Sequence, residues 1–153
     1  MKRIHIDREA CKACKNCIIA CMLQHSEAES IHNLNLTDIN NQARNKIVLN
    51  NNDEVVPLFC RHCRDSECLT ACMSGALSRD KKTGHIICNQ KQCVGCWMCV
   101  MSCSYGMVMP EKASQERTLK CDMCGDDQPQ CVENCPTGAI KVIELDMKEK
   151  VIK

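Results

Sequence analysis

The stretch that decides the fold is Cys93-Val94-Gly95-Cys96-Trp97-Met98-Cys99-Val100-Met101-Ser102-Cys103, a cysteine quartet spaced C-x2-C-x2-C-x3-C. The same spacing occurs at Cys11–Cys21, and related quartets with a longer gap before the third cysteine occupy Cys60–Cys72 and Cys121–Cys135. Four quartets use sixteen of the 17 cysteines and leave Cys88 over. The chain is therefore an internal repeat of one ligand-bearing motif.

The rest of the composition argues against a conventional hydrophobic core. Of 153 residues, 44% are hydrophobic, but cysteine is counted among them, and the aromatic residues are only Phe59, Trp97 and Tyr105. Because aromatic side chains usually supply the largest blocks of buried apolar area, something else must organise the fold. The candidates are disulfides, zinc ions and iron-sulfur clusters.

Disulfides fit this chain poorly. The first residues, Met1–Asp7, contain neither an apolar segment nor a cleavage site, so we expect a cytoplasmic protein whose thiols stay reduced. The odd number of cysteines leaves at least one thiol outside any disulfide framework. No run approaches the roughly 18 apolar residues of a membrane span. The formal net charge of +1 argues against a nucleic-acid-binding surface.

The spacing favours [4Fe-4S] clusters over zinc. Zinc ribbons usually bring two separated cysteine pairs together around one ion, whereas each quartet here is compact and the last continues into Pro136. In two-cluster ferredoxins the fourth cysteine of such a run ligates the other cluster. Sixteen thiolates match four fully ligated clusters, so no iron is expected to keep a position open for a substrate. The sequence therefore predicts electron transfer rather than catalysis, in a fixed conduit rather than a diffusing carrier.

Short helices and hairpin strands are expected around the quartets. The predicted helices are Cys17–His25, Glu67–Met73 and Val100–Cys103. The predicted strands are Lys46–Leu49, Glu54–Phe59, Ala76–Leu77, His85–Cys88 and Ala139–Leu145. The polar stretch at residues 26–45 has no clear period and reads as an insertion, either a flexible loop or a docking element that orders on binding. Cys88 is expected to pack as a small apolar side chain on its strand, with a redox or spare-ligand role as the alternative.

The four motifs CKACKNCIIAC, CRHCRDSECLTAC, CVGCWMCVMSC and CDMCGDDQPQCVENCP carry a wider resemblance. They resemble the four-cluster ferredoxin-like electron-transfer subunits of multi-subunit oxidoreductases, a family that includes subunits of formate dehydrogenase, dimethyl sulfoxide reductase and hydrogenase complexes. The resemblance covers about Ile4–Leu145. The segment Ala20–Ser26 and the run Cys96–Cys99 look most similar to the branch associated with anaerobic carbon monoxide dehydrogenase.

The resemblance implies an α+β fold of two ferredoxin-like modules, duplicated 2[4Fe-4S] units with short helices and small antiparallel hairpins. Residues 1–25 with 104–153 would form the outer module, residues 46–103 the inner module, and residues 26–45 the insertion. Its nested ligand pattern gives four sets: Cys11, Cys14, Cys17 and Cys135 (cluster 1); Cys121, Cys124, Cys131 and Cys21 (cluster 2); Cys60, Cys63, Cys68 and Cys103 (cluster 3); Cys93, Cys96, Cys99 and Cys72 (cluster 4).

The spacing alone supports the triplets and the exchange of fourth cysteines, but it leaves nested and sequential pairing open. Met73 and Ser104 stand where many relatives have proline after the last cysteine, which puts the backbone geometry there in question.

The predicted function is that of a non-catalytic electron-transfer subunit. It would relay electrons from a redox catalytic subunit, with carbon monoxide dehydrogenase favoured, to a flavin-containing NAD(P) oxidoreductase, a hydrogenase or a ferredoxin. A hydrogenase or formate dehydrogenase complex is the alternative. A zinc-stabilised interaction scaffold is the alternative from another class. Neither nucleic acid nor direct membrane insertion is expected.

Overall fold

The protein is described by a computed structural model that covers residues 1–125 and 128–145. Its four helices in these ranges are short: α1 (Asn16–Gln24), α2 (Glu67–Thr70), α3 (Met98–Met101) and α4 (Gln130–Glu133). None of them is long and apolar enough to cross a bilayer. Only one of them exceeds four residues. The helices therefore position cysteine side chains rather than form packing layers.

The eight strands of the described ranges pair two by two, always antiparallel. They are β1 (Lys2–Ile6), β2 (Lys46–Leu49), β3 (Val55–Leu58), β4 (Leu77–Arg79), β5 (Ile86–Cys88), β6 (Val108–Pro110), β7 (Thr118–Lys120) and β8 (Ile140–Glu144). Three pairs, β2 with β3, β4 with β5 and β6 with β7, are local hairpins. The fourth joins β1 to β8, with Ile4 opposite Val142, and so ties the start of the chain to its last described strand.

Most predicted elements are confirmed within a few residues. The first helix and the strand pair β2–β3 lie where the sequence placed them, while α2 ends at Thr70, three residues before its predicted end. The helix at the third quartet begins at Met98 rather than Val100. Strands β1, β6 and β7 and helix α4 were not predicted.

Two small cores divide the described structure, and cysteine is a component of both. The first core contains Ile4, Phe59, Met123 and Ile140 together with Cys17 and Cys131. The second contains Leu77, Ile86, Cys99 and Val108. This arrangement agrees with duplicated ferredoxin-like modules, each with ligand cysteines at its centre.

The module boundaries stay a prediction. Phe59 of the predicted inner module packs in the first core, and Val108 of the predicted outer module packs in the second. Residues 126–127 and 146–153, which the sequence assigns to the outer module, lie outside the described residues.

The insertion, residues 26–45, is a series of turns tied to the modules at its C-terminal end. The Gln42 side-chain amide donates to the Pro110 carbonyl at 3.0 Å and accepts from the Lys112 backbone N–H at 3.0 Å. Three residues further on, the buried Asn45 amide donates to the Cys17 carbonyl at 2.9 Å. Both residues therefore anchor the returning chain beside the cysteine quartets.

Candidate iron-sulfur sites

All 17 cysteines lie in the described part of the chain, and every one is a free thiol. Five of the sixteen quartet members are buried, and only Cys14 and Cys96, the second cysteines of the two quartets with identical spacing, are exposed. A set of unpaired, mostly shielded thiols is the donor chemistry that [4Fe-4S] clusters require.

The first and fourth quartets lie against each other. Burial, followed by the nearby Cys14, Cys11 and Cys135 thiolates in that order, raises the pKa of Cys17 to about 11. Cys135 is therefore close to the first triplet although it is 124 residues from Cys11 in the sequence.

Cys21 lies on the opposite side of the contact between the first and fourth quartets. Burial, followed by the Cys21 and Cys124 thiolates, raises the pKa of Cys131 to about 12. Helices α1 and α4, which carry Cys21 and Cys131, pack against each other. The fourth cysteine of the first quartet thus stands among the thiols of the last quartet.

The second and third quartets are near each other in the same way. Burial raises the pKa of Cys68, the Lys120 ammonium opposes this shift and the Cys60 and Cys103 thiolates reinforce it, so that the pKa is about 11. Burial also raises the pKa of Cys99, to which the Cys72 and Cys93 thiolates contribute. Each quartet therefore has the fourth cysteine of its partner quartet nearby.

The four C-x2-C loops share one backbone feature. The residue just before the second cysteine has a positive φ in every quartet: 52° at Ala13, 43° at His62, 63° at Gly95 and 60° at Met123. Left-handed residues in such turns help to direct N–H groups toward one concavity, an anion-binding arrangement found at many iron-sulfur sites. Three of the four residues are not glycine and bear the strain of this conformation. The loops therefore fit an anionic cluster.

Backbone N–H groups also reach the fourth cysteine of each quartet. Leu77 N–H donates to Cys72 Sγ at 3.4 Å, and Met107 N–H donates to Cys103 Sγ at 3.3 Å. The Ile140 N–H similarly lowers the pKa of Cys135, against the effect of burial. In the first quartet the insertion intervenes, and the Arg44 N–H at its end donates to Cys21 Sγ at 3.2 Å. Such bonds stabilise a thiolate and tune a bound cluster.

The backbone turn after the fourth cysteine does not depend on the proline that Met73 and Ser104 replace. In three quartets a glycine three residues on donates its N–H to the cysteine carbonyl: Gly75 to Cys72 at 3.3 Å, Gly106 to Cys103 at 2.9 Å and Gly138 to Cys135 at 3.2 Å. All three glycines have a positive φ. The turn is therefore the same whether proline, methionine or serine follows the cysteine.

Sequence reasoning missed a charged group beside the fourth quartet. The ring of His25 bonds the Cys21 carbonyl through Nδ1 at 2.8 Å and Asp122 Oδ1 through Nε2 at 3.2 Å. Both partners accept, so both nitrogens carry protons. Burial opposes this charge, but the bonds to Asp122 and Cys21 outweigh it and raise the pKa of His25 to about 9.

Arg44 pairs with the other oxygen of Asp122, so His25 and Arg44 place two positive charges around one carboxylate. The oxygen of Asp122, a ring nitrogen of His25 and Cys124 Sγ also lie within 4.8 Å of one another. No sequence motif signals this group, because His25 and Asp122 lie 97 residues apart.

Cys88 is set apart from the quartets by its position on β5. It is half-buried, and its Sγ lies 3.7 Å from Oγ1 of the buried Thr118, which also lies 3.8 Å from Cys93 Sγ. Burial raises the pKa of Cys88, which favours the neutral thiol. The structure thus places it beside the third quartet and packed against the second core, and its role stays a prediction.

The folded chain, with four complete thiol sets and backbone donors aimed at them, defines a ferredoxin-like iron-sulfur protein. Comparison with known families identifies it further. Residues 3–73 and residues 52–145 each match a family described as a 4Fe-4S dicluster domain. The chain belongs to this 4Fe-4S dicluster family, and because the two matches together span all four quartets, it carries four [4Fe-4S] clusters.

Two curated relatives cover nearly the whole chain. An iron-sulfur protein of Rhodospirillum rubrum is 32% identical over 94% of this chain and 82% of its own length. The electron transport protein HydN of Escherichia coli is 30% identical over 95% of this chain and 89% of its own length. Both are related iron-sulfur or electron-transport proteins.

Among solved structures, a chain of the active site complex BamBC of benzoyl coenzyme A reductase superposes with a TM-score of 0.52. It is 24% identical, and the match covers 98% of this chain and 83% of that one. This likeness supports the fold.

Proposed function

We propose that the protein is a non-catalytic electron-transfer subunit that conducts electrons through its four clusters between two redox partners. The observation that carries this proposal is that no quartet lacks a member, so the protein can ligate every cluster iron itself. A bound [4Fe-4S] cluster supplies a one-electron couple. The thiols and N–H groups of the chain hold it, shield it and adjust its potential.

The ligand sets are proposed to be nested and to lie in series. The charge of Cys17 raises the pKa of Cys131, so the two thiols are neighbours and link the ligand sets of clusters 1 and 2. The charge of Cys60 likewise raises the pKa of Cys121, which links clusters 2 and 3. Clusters 3 and 4 are linked by the second core, which contains Cys99 and against which Cys68 packs. The order from cluster 1 to cluster 4 therefore puts the exposed Cys14 and Cys96 at opposite ends of the conduit.

The proposed electron donor is the catalytic subunit of an oxidoreductase complex. We favour carbon monoxide dehydrogenase because of the motif resemblance, with a flavin-containing NAD(P) oxidoreductase, a hydrogenase or a ferredoxin as acceptor. A hydrogenase or formate dehydrogenase complex remains the alternative. A cytoplasmic location stays a prediction. Mixing the oxidised protein with each purified enzyme and its own substrate decides among these donors, because only the true donor should bleach the visible cluster absorbance rapidly.

Metal analysis separates this function from a zinc scaffold. After anaerobic purification, we expect about sixteen iron and sixteen sulfide per chain, as four cubane clusters require. A colourless protein with about four zinc ions and no sulfide would instead support an interaction scaffold.

Paired cysteine variants test the nested arrangement. Cys11→Ala and Cys135→Ala should abolish or alter the same cluster signal in low-temperature EPR spectra of the reduced protein, because both residues belong to cluster 1. Cys121→Ala should affect a different signal. Cys88→Ser is the matched control and should retain all four clusters. If Cys135→Ala and Cys121→Ala affect the same signal and Cys11→Ala another, the nested assignment is wrong.

A further inference from the structure

Lys120 is a buried lysine at the end of β7, immediately before Cys121, and only 4% of it is exposed. Its Nζ donates to the Ile86 carbonyl at 2.8 Å and to the Cys121 carbonyl at 3.2 Å. The same nitrogen lies 3.3 Å from Cys60 Sγ and 3.4 Å from His62 Nδ1. A lysine is rarely buried to this degree unless it is paired.

No carboxylate among the described residues lies within ion-pair distance of Nζ, since the ion pairs in that part of the chain are those of Asp122 with His25 and Arg44. His62 supplies no negative charge either. Its Nδ1 accepts from the Ile86 N–H at 3.0 Å, and a histidine ring carries no anionic atom. Since a buried charge requires a counter-charge, the anion facing Lys120 is the sulfur of Cys60.

The contacts of Lys120 join two ligand sets. Cys60 belongs to the proposed set of cluster 3, while Cys121, whose carbonyl Lys120 also binds, belongs to that of cluster 2. Nζ thus lies at the junction between the ligand sets of clusters 2 and 3, which belong to the two different modules. We propose that Lys120 is a positioning residue that holds a positive charge against Cys60 at this junction and raises the reduction potential of cluster 3, an inference that rests on the function proposed above.

The direction of the effect follows from charge. Reduction adds one negative charge to the cluster and its thiolates, and a cation fixed nearby stabilises the reduced form more than the oxidised form. Water cannot screen the interaction well because Nζ is enclosed.

Redox titration of the anaerobic holoprotein, followed by EPR, tests this role. In Lys120→Met, which keeps the length of the side chain without its charge, the equilibrium constant for reducing one cluster should fall at least about tenfold, or 59 mV for one electron. The other potentials should move less. Lys120→Arg should restore most of the difference, and Lys141→Met, at an exposed lysine of β8, should change nothing.

Iron and sulfide analysis of each variant separates the possible outcomes. If Lys120→Met retains four clusters and all four potentials match the wild type, the role of Lys120 is wrong while the proposed function stands. If the wild-type protein itself contains neither iron nor sulfide, the proposed function fails first.

A second measurement decides the matter if Lys120→Met does not assemble. Wild-type protein labelled with nitrogen-15 at the lysine Nζ should show a nitrogen-15 coupling to one reduced cluster in pulsed EPR, because Nζ contacts a ligand sulfur. The coupling should disappear in equally labelled Lys120→Arg. Absence of any such coupling in the wild type would overturn the proposal.

Discussion

A single methyl group distinguishes the residues that close the C-x2-C loops of the two quartets with identical spacing. Ala13 and Gly95 both precede the second cysteine, and both have a positive φ. At Gly95, however, an added Cβ would lie 2.6 Å from the Glu116 carbonyl oxygen, which belongs to the segment between β6 and β7. The third quartet therefore needs glycine for space as well as for conformation.

We expect Gly95→Ala to destabilise the third quartet. The left-handed backbone costs an L-residue about 1 to 2 kcal/mol, and displacement of the Glu116 backbone adds to this cost. Anaerobic preparations should contain less iron per chain than the wild type. The matched variant Ala13→Gly has no Cβ to strain the loop, so its iron content should equal that of the wild type. Equal iron in both variants would contradict the steric argument.

At the residue scale the sequence grouped the cysteines into quartets, and it revealed little about the polar side chains around them. Cysteine spacing reflects local loop geometry, so the quartets could be read directly. Lys120 and His25 became visible only in the folded chain, because their partners Cys60 and Asp122 are 60 and 97 residues away. No periodic pattern encodes which distant polar side chains become buried together.

Among the elements, the turn after the fourth cysteine allows a test of proline. In the turn Cys72–Gly75, Met73 occupies the position where proline is favoured, as in the equivalent turn that contains Pro136. Met73 is 83% exposed, so its side chain can be changed without loss of core packing. Its neighbour Ser74 occupies the next position, where proline is disfavoured.

Met73→Pro should therefore stabilise the protein by about 0.4 to 1 kcal/mol, because it restricts the unfolded chain without straining the turn. The thermal midpoint of the holoprotein, measured anaerobically at one heating rate, should rise by roughly 1 to 3 °C. Ser74→Pro should lower it, since proline also removes a backbone N–H that helps to lower the pKa of Cys72. A fall with both variants would mean that the turn differs from the one at Pro136.

The elements that the sequence failed to predict share a physical cause. Strands β6 and β7 have three residues each, too few for an alternating pattern to stand out. Strand β1 has five residues, but its partner β8 begins 134 residues after β1 ends. Elements this short are stabilised by the nearby ligand sets and by long-range pairing rather than by intrinsic propensity.

For the whole molecule, the formal charge of +1 describes only the metal-free chain. Each cluster with its four thiolates carries about −2 when oxidised, so the holoprotein has a net charge of about −7.

The two proposed ends of the conduit differ in character. Exposed Lys12 and Lys15 flank Cys14, whereas Val94 and Met101, which are 69% and 71% exposed, lie near Cys96 in the sequence. A basic end and an apolar end suit two different partners.

The basic end should therefore govern electron exchange with anions. We expect the double variant Lys12→Glu with Lys15→Glu to slow oxidation of the reduced protein by the dianion anthraquinone disulfonate by about tenfold at low ionic strength. Stopped-flow absorbance measures this rate. Lys81→Glu with Lys82→Glu, an equal change of charge at exposed residues of the β4–β5 turn, is the control and should slow it less. The difference should shrink as salt shortens the screening length below about 10 Å. Equal slowing by both double variants would show that net charge, rather than an electron-exchange site at Cys14, controls the reaction.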